Sequence, residues 1–509
     1  MLLSIQVLLS TAALIASGRC SSHTIPVPSF PKNSSPVPRD LQSISIEFAY
    51  FPDYAGNKSH PNKFSKNLLQ NFKSITGVAP KVRVGGTSQD HAIYFPDQEE
   101  NVKLFYRNPT DDQPIQINYG PTYFESYHTL GKIKYVHGLN MNQNYSTEQL
   151  ELAATEACTS IGPQLHLFEL GNEFNFAPGK YRAANYSLLD YAEEWNTKSA
   201  IIKSAVQKAC PGSFPGFMAP SFVLLDFIVK TSWTAEELYN LGYDKDNLTK
   251  EMCFHNYMGV NSPPLPPAQL DLQRTLMNHT KIVQNLAAQI KRSENLAYLG
   301  LPYTLGELNS IANQGVNGET NVFSDALWLV DFSLWAAVHG IKRLHFHQGL
   351  NYRYASWQPI ESKGISPTTR PPYYGQIMVA SAIGKSKDTR IVSIPLSEDT
   401  ESAYAIYNGN RLSELVITNM RAFNQTTSGH RPHREYQFRV PSQHKSARID
   451  RLIGPGSDAL DNITFGGISY DHALEEGKPV QRHSNEETRI KNGLLTIEVP
   501  DSSAVLITM

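Results

Sequence analysis

Two stretches of this chain carry side chains whose types and order suit acid–base and nucleophilic chemistry. Residues 165–177 read LHLFELGNEFNFA. Leu165 and Leu167 alternate with His166 and Phe168 as in a strand, and the run then reaches Gly171, Asn172 and Glu173, where a tight turn presents polar groups at the strand's carboxyl end. Residues 303–309, YTLGELN, take the same course through Gly306 to Glu307. Carboxyl ends of parallel strands are where α/β-barrel enzymes hold their reacting groups. Two carboxylates so placed suit cleavage of a glycosidic bond: one protonates the leaving oxygen, and the other attacks the sugar carbon when the two stand about 5 Å apart. Glu173 is therefore read as the acid/base and Glu307 as the nucleophile, with the Asn172 amide spaced to meet a sugar hydroxyl beside the scissile carbon. Glu169 lies earlier on the strand itself and is read as a hydrogen-bonded core residue.

Those groups need a frame, and strand-then-helix alternation supplies one. Strands are expected at 43–48, 81–84, 132–139, 165–170, 217–220, 252–257, 303–307 and 343–347. Helices are expected at 63–76, where Phe64, Leu68, Leu69, Phe72 and Ile75 recur at helical spacing, and at 146–159, 188–208, 234–241, 270–296, 321–339 and 373–383. Ser146 and Gln149 are spaced as a capping box. Eight alternations in series predict an α/β fold, a (β/α)8 TIM barrel over 43–383. Residues 91–130 suit neither period and are expected as loops or a hairpin beside the cleft. From about 384 the pattern turns to short alternating strands, with a hairpin signal at Asn408-Gly409, so 384–509 reads as a C-terminal antiparallel β-sandwich domain. The N-terminal segment 23–42 can add a strand to that domain and bring the chain ends together.

With 509 residues, 40% hydrophobic and 18% charged, the chain can bury a large core and is not a disordered polymer. A formal net charge of -2 gives no reason to expect nucleic acid or a densely sulfated polyanion as partner. The densest basic patch, GHRPHREYQFR at 429–439, is read as a solvated strand-and-loop face. The apolar run LLSIQVLLSTAALIA, followed by small and polar residues, reads as a signal peptide over 1–22. No later apolar run reaches spanning length, so a secreted, extracellular protein without a membrane span is expected. Eight Asn-X-Ser/Thr sequons, at Asn33, Asn57, Asn144, Asn185, Asn247, Asn278, Asn424 and Asn462, fit an exported glycoprotein. Once Cys20 is removed, Cys158 and Cys210, late in successive predicted helices, can form one disulfide, while Cys253 is a buried thiol. The cysteine spacing does not suit zinc, and His255, His345 and His347 alternate along strands with no acidic ligand in step, so neither metal nor cofactor is expected.

GNEFNF around Glu173, GELN around Glu307, RVGGTSQD at 83–90, HNY at 255–257 and HFHQG at 345–349 together resemble a retaining clan A glycoside hydrolase. More narrowly, the chain resembles the fungal β-glucuronidases of glycoside hydrolase family 79 over nearly all of its mature length. The resemblance implies metal-free, retaining hydrolysis of terminal β-linked glucuronic acid, or its 4-O-methyl form, from glycans or glycoconjugates. It implies Glu173 as acid/base, Glu307 as nucleophile, Asn172 as the neighbouring donor, and Tyr257 steadying the nucleophile or touching the sugar. Glu47 and Asp90 are expected to accept hydrogen bonds from sugar hydroxyls, and Gln348 and Tyr354 to join the substrate-binding set. Tyr352, Tyr354 and Trp357 form either a sugar-stacking wall or loop packing. The loop NQGVNG at 313–318 is placed to offer amides to a uronate carboxylate, and no arginine is assigned that task. Two rival readings stand beside this one: an endo-β-glucuronidase of heparanase type, which would favour basic clusters flanking an open cleft, and a non-catalytic secreted carbohydrate-binding protein.

Overall fold

The computed structural model describes residues 24–142, 145–224, 233–261, 271–484 and 486–509, so the expected signal peptide and the Asn144 sequon lie outside the described residues. Eight parallel strands close into a barrel in sequence order: β1 (Gln42–Glu47), β2 (Val82–Gly85), β3 (Tyr135–Leu139), β4 (Leu165–Leu170), β5 (Phe217–Leu224), β6 (Thr249–Val260), β7 (Tyr303–Ala312) and β8 (Arg343–Gln348). The ring shuts where β8 pairs with β1, from Leu344 opposite Gln42 to Gln348 opposite Ile46. Helices α1 (Lys63–Thr76), α2 (Thr147–Ile161), α3 (Leu188–Ala209), α4 (Ala235–Asn240), α5 (His279–Asn295), α6 (Phe323–Val338) and α7 (Pro371–Ile383) follow every strand except β2.

Local chemistry explains these boundaries. The Asn62 side chain caps α1 by accepting from Ser65 N at 2.9 Å, and Gly77, at φ 78°, ends it in the left-handed conformation that glycine adopts without strain. The predicted capping box of α2 forms, with Ser146 and Gln149 each satisfying the other's backbone N–H. After β2 the loops or hairpin expected at 91–130 take a more regular form. A three-stranded sheet (Ala92–Tyr94, Val102–Phe105, Gln116–Tyr119) and a 3-10 helix (Pro121–His128) occupy the place of a helix. The aromatic side chains decide this: Tyr123, Phe124 and Tyr127 are buried, and Phe48 stacks on Tyr123 at 4.8 Å while Tyr127 meets Tyr135 at 4.8 Å.

Inside the barrel, Val136, Leu167, Met218 and Cys253 make a small apolar layer of their own. Two residues further along β4 and β6, the same inward face carries Glu169 and His255, so the interior changes from apolar to ionic toward the carboxyl ends. A disulfide joins Cys158 on α2 to Cys210 just after α3, and Cys253 is free and buried.

The C-terminal domain is a sandwich. Strands β9 (Thr389–Ile394), β10 (Glu401–Asn408), β11 (Arg411–Asn419), β13 (Ser446–Ile453) and β15 (Ser503–Thr508) lie in one antiparallel sheet; β12 (His433–Arg439) and β14 (Leu494–Pro500) lie in the other. Ile25–Pro26 joins that second sheet, parallel to β12, so the segment before the barrel does add a strand to this domain. Tyr407, Leu415, Ile417 and Val505 from one face pack against Phe438, Leu495 and Ile497 from the other. The predicted hairpin joins β10 to β11 through Gly409, at φ 61°. The domain docks on α6: the otherwise unpartnered N–H groups of Phe323 and Ser324 donate to the Ala459 and Ser457 carbonyls at 2.9 and 2.8 Å.

Candidate active site

The turn after β4 sets the first carboxylate. Gly171 has φ 77°, and a Cβ there would stand 2.8 Å from the Phe174 ring, so glycine is required by both conformation and space. Glu173 itself adopts φ 53°, a left-handed conformation that costs a non-glycine residue about 1–3 kcal/mol and persists where surroundings enforce it. The enforcing contact is the Glu173 N–H, which donates to the Ser221 carbonyl at 3.0 Å. The side chain, 19% exposed, rests one oxygen 2.9 Å from His255 Nδ1; its other oxygen has no hydrogen bond among the described residues.

Glu307 is held differently. It lies within β7, its side chain 8% exposed, and accepts from Arg83 Nη1 at 2.7 Å on one oxygen and from the Tyr257 hydroxyl at 2.7 Å on the other. His255 sits directly opposite Glu307 in the β6–β7 ladder, so the imidazole that meets Glu173 also borders Glu307. Polar atoms of Glu173, His255 and Glu307 all lie within 4.8 Å of one another. The two predicted carboxylates therefore face each other across one gap.

Arg83, which sequence reasoning passed over, organises this floor. Its fully buried guanidinium donates from Nε to Glu169 at 2.7 Å, from Nη1 to Glu307 at 2.7 Å and Ser45 Oγ at 3.0 Å, and from Nη2 to Asn172 Oδ1 at 2.7 Å. Pinning Asn172 Oδ1 leaves its amide N–H groups, which have no bond among the described residues, to meet a ligand. The glycines of RVGG make room for this charge: a Cβ on Gly85 would lie 2.9 Å from Glu169 Oε2, and one on Gly86 2.7 Å from Glu47 Oε1. The signal was the charge between Val82 and Val84, an inward position on a barrel strand that can be filled by arginine only when carboxylates await it. Glu169 has the core role expected of it, accepting from Arg83 and from Ser221 Oγ at 2.5 Å.

The electrostatics follow. Burial alone would push the Glu307 carboxyl up, but the charges of His347, His255 and Arg83, with the Tyr257 hydrogen bond, outweigh it and hold the group well below the usual carboxylate range. Burial lowers His347, yet the facing Glu307 charge and the hydrogen bond to Glu47 carry it above the ordinary histidine value. Glu307 is thus held in its ionised form.

Three expected sugar contacts prove to be framework. Glu47 is 1% exposed, with its oxygens taken by Ser88 N at 2.7 Å and by His347 Nε2 at 3.0 Å. Asp90 is 2% exposed and accepts the backbone N–H groups of Met141 and Asn172 at 2.8 and 2.7 Å, so it holds the turn that carries Glu173; burial pushes its carboxyl up to about 7. Gln348 is fully buried and braces the following loop, accepting from Ser356 N at 2.6 Å and donating to the Phe346 carbonyl. The expectation that these side chains meet substrate is corrected by burial. Trp357 and Tyr352 resolve toward loop packing: Trp357 Nε1 donates to Ser65 Oγ at 2.9 Å, and the Tyr352 hydroxyl donates to Glu47 at 3.3 Å. Tyr354 lies beside Tyr257, ring centres 6.3 Å apart, on the Glu307 side.

Among the described residues, two groupings of His, Cys and carboxylate are tight enough to consider for a metal, Glu173–His255–Glu307 and Glu169–Cys253–His255. Both share His255, and the Glu307 and Glu169 oxygens in them already accept from Arg83, Tyr257 and Ser221, so these atoms form an ion-pair network rather than a ligand set.

Comparison with known proteins places this arrangement. Residues 403–506 match the family model described as the glycosyl hydrolase family 79 C-terminal beta domain. A β-glucuronidase of Aspergillus niger is 38% identical over 502 residues, covering 93% of this chain and 91% of that protein. The chain belongs to glycoside hydrolase family 79. A β-glucuronidase of Neurospora crassa is also similar to this family 79 chain, 34% identical over 504 residues, covering 88% of this chain and 87% of that protein. Among solved structures, a 4-O-α-L-rhamnosyl-β-D-glucuronidase of Fusarium oxysporum superposes on this family 79 chain with a TM-score of 0.80 at 24% identity, covering 96% of this chain and 100% of its own. A family 51 α-L-arabinofuranosidase of Thermotoga petrophila reaches a TM-score of 0.61 at 13% identity, covering 96% and 99%; these two likenesses concern the fold.

Proposed function

We propose that this chain is a retaining exo-β-glucuronidase acting on terminal β-linked glucuronic acid of glycans or glycoconjugates, with Glu173 as acid/base and Glu307 as nucleophile. The observation that carries the reading is the pair itself, two carboxylates converging with His255 inside 4.8 Å, one ionised and gripped, the other partly open. That spacing favours direct attack over a water-mediated displacement, which needs the carboxyl groups about 6.5–9.5 Å apart. In the first step the Glu173 proton passes to the glycosidic oxygen as that bond breaks and a Glu307 oxygen bonds to the anomeric carbon. In the second, water gives its proton to Glu173, its oxygen bonds to the same carbon, and the Glu307 ester bond breaks. Asn172 offers its amide to the neighbouring sugar hydroxyl, and Tyr257 donates to Glu307 until the ester forms. The β-glucuronidases to which the chain is similar support the choice of a uronate.

Exo action is favoured by a wall on one side of the mouth. Asp112, in the excursion after β2, pairs with Arg353 at 2.8 Å and Lys363 at 2.5 Å, and Gln113 donates to the Tyr352 hydroxyl at 3.0 Å, tying that excursion to the loop after β8. Secretion as a glycoprotein belongs to the same proposal and is supported by exposed sequons at Asn33, Asn185, Asn247, Asn424 and Asn462; Asn57 and Asn278 are half-buried, and the Asn278 side chain caps α5. The test is a panel of aryl glycosides differing only at C6, followed by NMR of the first-formed anomer. Turnover of the β-glucuronide with release of β-glucuronic acid is expected; preference for the glucoside, or release of the α-anomer, would overturn the reading.

A further inference from the structure

We infer that Arg182, on the segment between Glu173 and α3, is a positioning residue that holds the acid/base turn in its strained conformation. The inference rests on the reading of Glu173 as acid/base. A left-handed glutamate persists only where its neighbours over-determine it. Three backbone N–H groups tie this turn: Gly171 donates to the Leu139 carbonyl at 3.0 Å, Asn172 to Asp90 Oδ2 at 2.7 Å, and Glu173 to the Ser221 carbonyl at 3.0 Å. One of these anchors, Asp90, and the Phe174 ring next to Glu173 both lead to Arg182.

The first route is direct. The Arg182 guanidinium lies over the Phe174 ring, 5.2 Å from its centre, and that ring fills the space a Cβ on Gly171 would need. The second route runs through Met141, just past the end of β3. Arg182 Nη2 donates to the Met141 carbonyl at 2.7 Å, the Met141 N–H donates to Asp90 Oδ1 at 2.8 Å, and the other Asp90 oxygen takes the Asn172 N–H. Met141 also abuts the turn, since a Cβ on Gly171 would stand 3.0 Å from the Met141 Cβ. Arg182 is itself fixed from α3. Its Nε and Nη2 fork onto Glu194 at 3.1 and 2.5 Å, and Nη1 donates to the Tyr181 carbonyl at 2.8 Å. Glu194 is steadied in turn by the Tyr186 hydroxyl at 2.7 Å and Lys198 Nζ at 2.8 Å. The Arg182 side chain is 8% exposed, so water competes little for these bonds. Misplacing a reacting group by about 1 Å costs on the order of 10^2-fold in rate, so a brace set back from the chemistry is felt in it.

The test compares an alkyl with a dinitrophenyl β-glucuronide on the full chain, because only the alkyl leaving group depends on the Glu173 proton to depart. Arg182→Met can still cover the Phe174 ring but offers no donor to Met141 or Glu194. It should lower kcat/KM for the alkyl glucuronide about 20-fold and for the dinitrophenyl glucuronide no more than about threefold. Arg182→Lys keeps a cation over the ring and a donor for one acceptor, so the loss on the alkyl substrate should shrink to about fivefold while the selectivity remains. Should the methionine variant fail to fold, the two losses in the lysine variant decide the matter. Equal losses on both substrates, or no loss on either, would overturn the positioning role. Failure of the underlying reading shows elsewhere, as absence of turnover of both glucuronides by the unaltered chain, or as equal losses on both in Glu173→Gln.

Discussion

Glu173 and Glu307 sit on the same rim, a sugar's width apart, yet their surroundings have little in common. Glu307 is sealed, gripped on both oxygens by Arg83 and Tyr257, and bordered by two histidines. Glu173 keeps one protein partner, His255, and reaches the cleft from a turn that is itself under strain. The contrast matches the opposite duties proposed for these two like side chains on a single barrel mouth. A group that must stay charged is surrounded by donors fixed on three different strands, whereas a group that must lose and regain a proton is left with an open oxygen.

The largest effect should come from removing the gripped charge. Glu307→Gln is expected to lower kcat for an aryl β-glucuronide by about 10^4-fold or more while substrate still binds, since a neutral amide cannot form the ester. Glu173→Gln should cost on the order of 10^2–10^4-fold with alkyl aglycones and far less with nitrophenyl aglycones, whose departure needs little protonation. Equal losses for both aglycones would erase the asymmetry. Arg83→Lys retains a charge but not the fork that spans Glu169, Glu307 and Asn172, so kcat should fall about 10^2-fold, and breaking buried pairs should lower the melting temperature by several degrees. Tyr257→Phe deletes one of the two grips and should cost about tenfold in kcat/KM.

A pH experiment gives the smallest and most specific effect. Because the folded Glu307 carboxyl is depressed below its ordinary 4.5, the stability it contributes is complete above that value and is lost as pH falls toward the folded pKa. Between pH 6 and 3.5 the melting temperature of the native chain should therefore drop more steeply than that of Glu307→Gln, measured by scanning calorimetry. Parallel curves would show that the charge on this side chain is not coupled to folding.

Both carboxylates and the strand ends that carry them are legible in the sequence. The two glycine-to-carboxylate turns, the strands bearing them and the Ser146–Gln149 cap are local patterns, and local patterns survive folding. What escaped notice depended on which distant strands become neighbours. Arg83 announces itself only as a charge between two valines, and its four acceptors come from β1, β4, the turn after β4, and β7. Glu47, Asp90 and Gln348 stand near strand ends as supposed, but whether such a side chain meets sugar or framework is set by burial, which residue type and spacing do not encode. The excursion after β2, expected as loops or a hairpin, is a three-stranded sheet and a 3-10 helix that the pattern does not specify, because its rings pack on one another and on the barrel instead of along a helical stripe.

The short strand Ile25–Pro26 has a bearing on how the molecule is made. Its partner β12 lies more than four hundred positions later, so during synthesis this early segment emerges long before the strand it must lie beside. The barrel can assemble meanwhile, and only then does the opening segment find its place, acting as a latch that registers completion of the final domain. Premature termination anywhere before β12 would leave the latch without its catch.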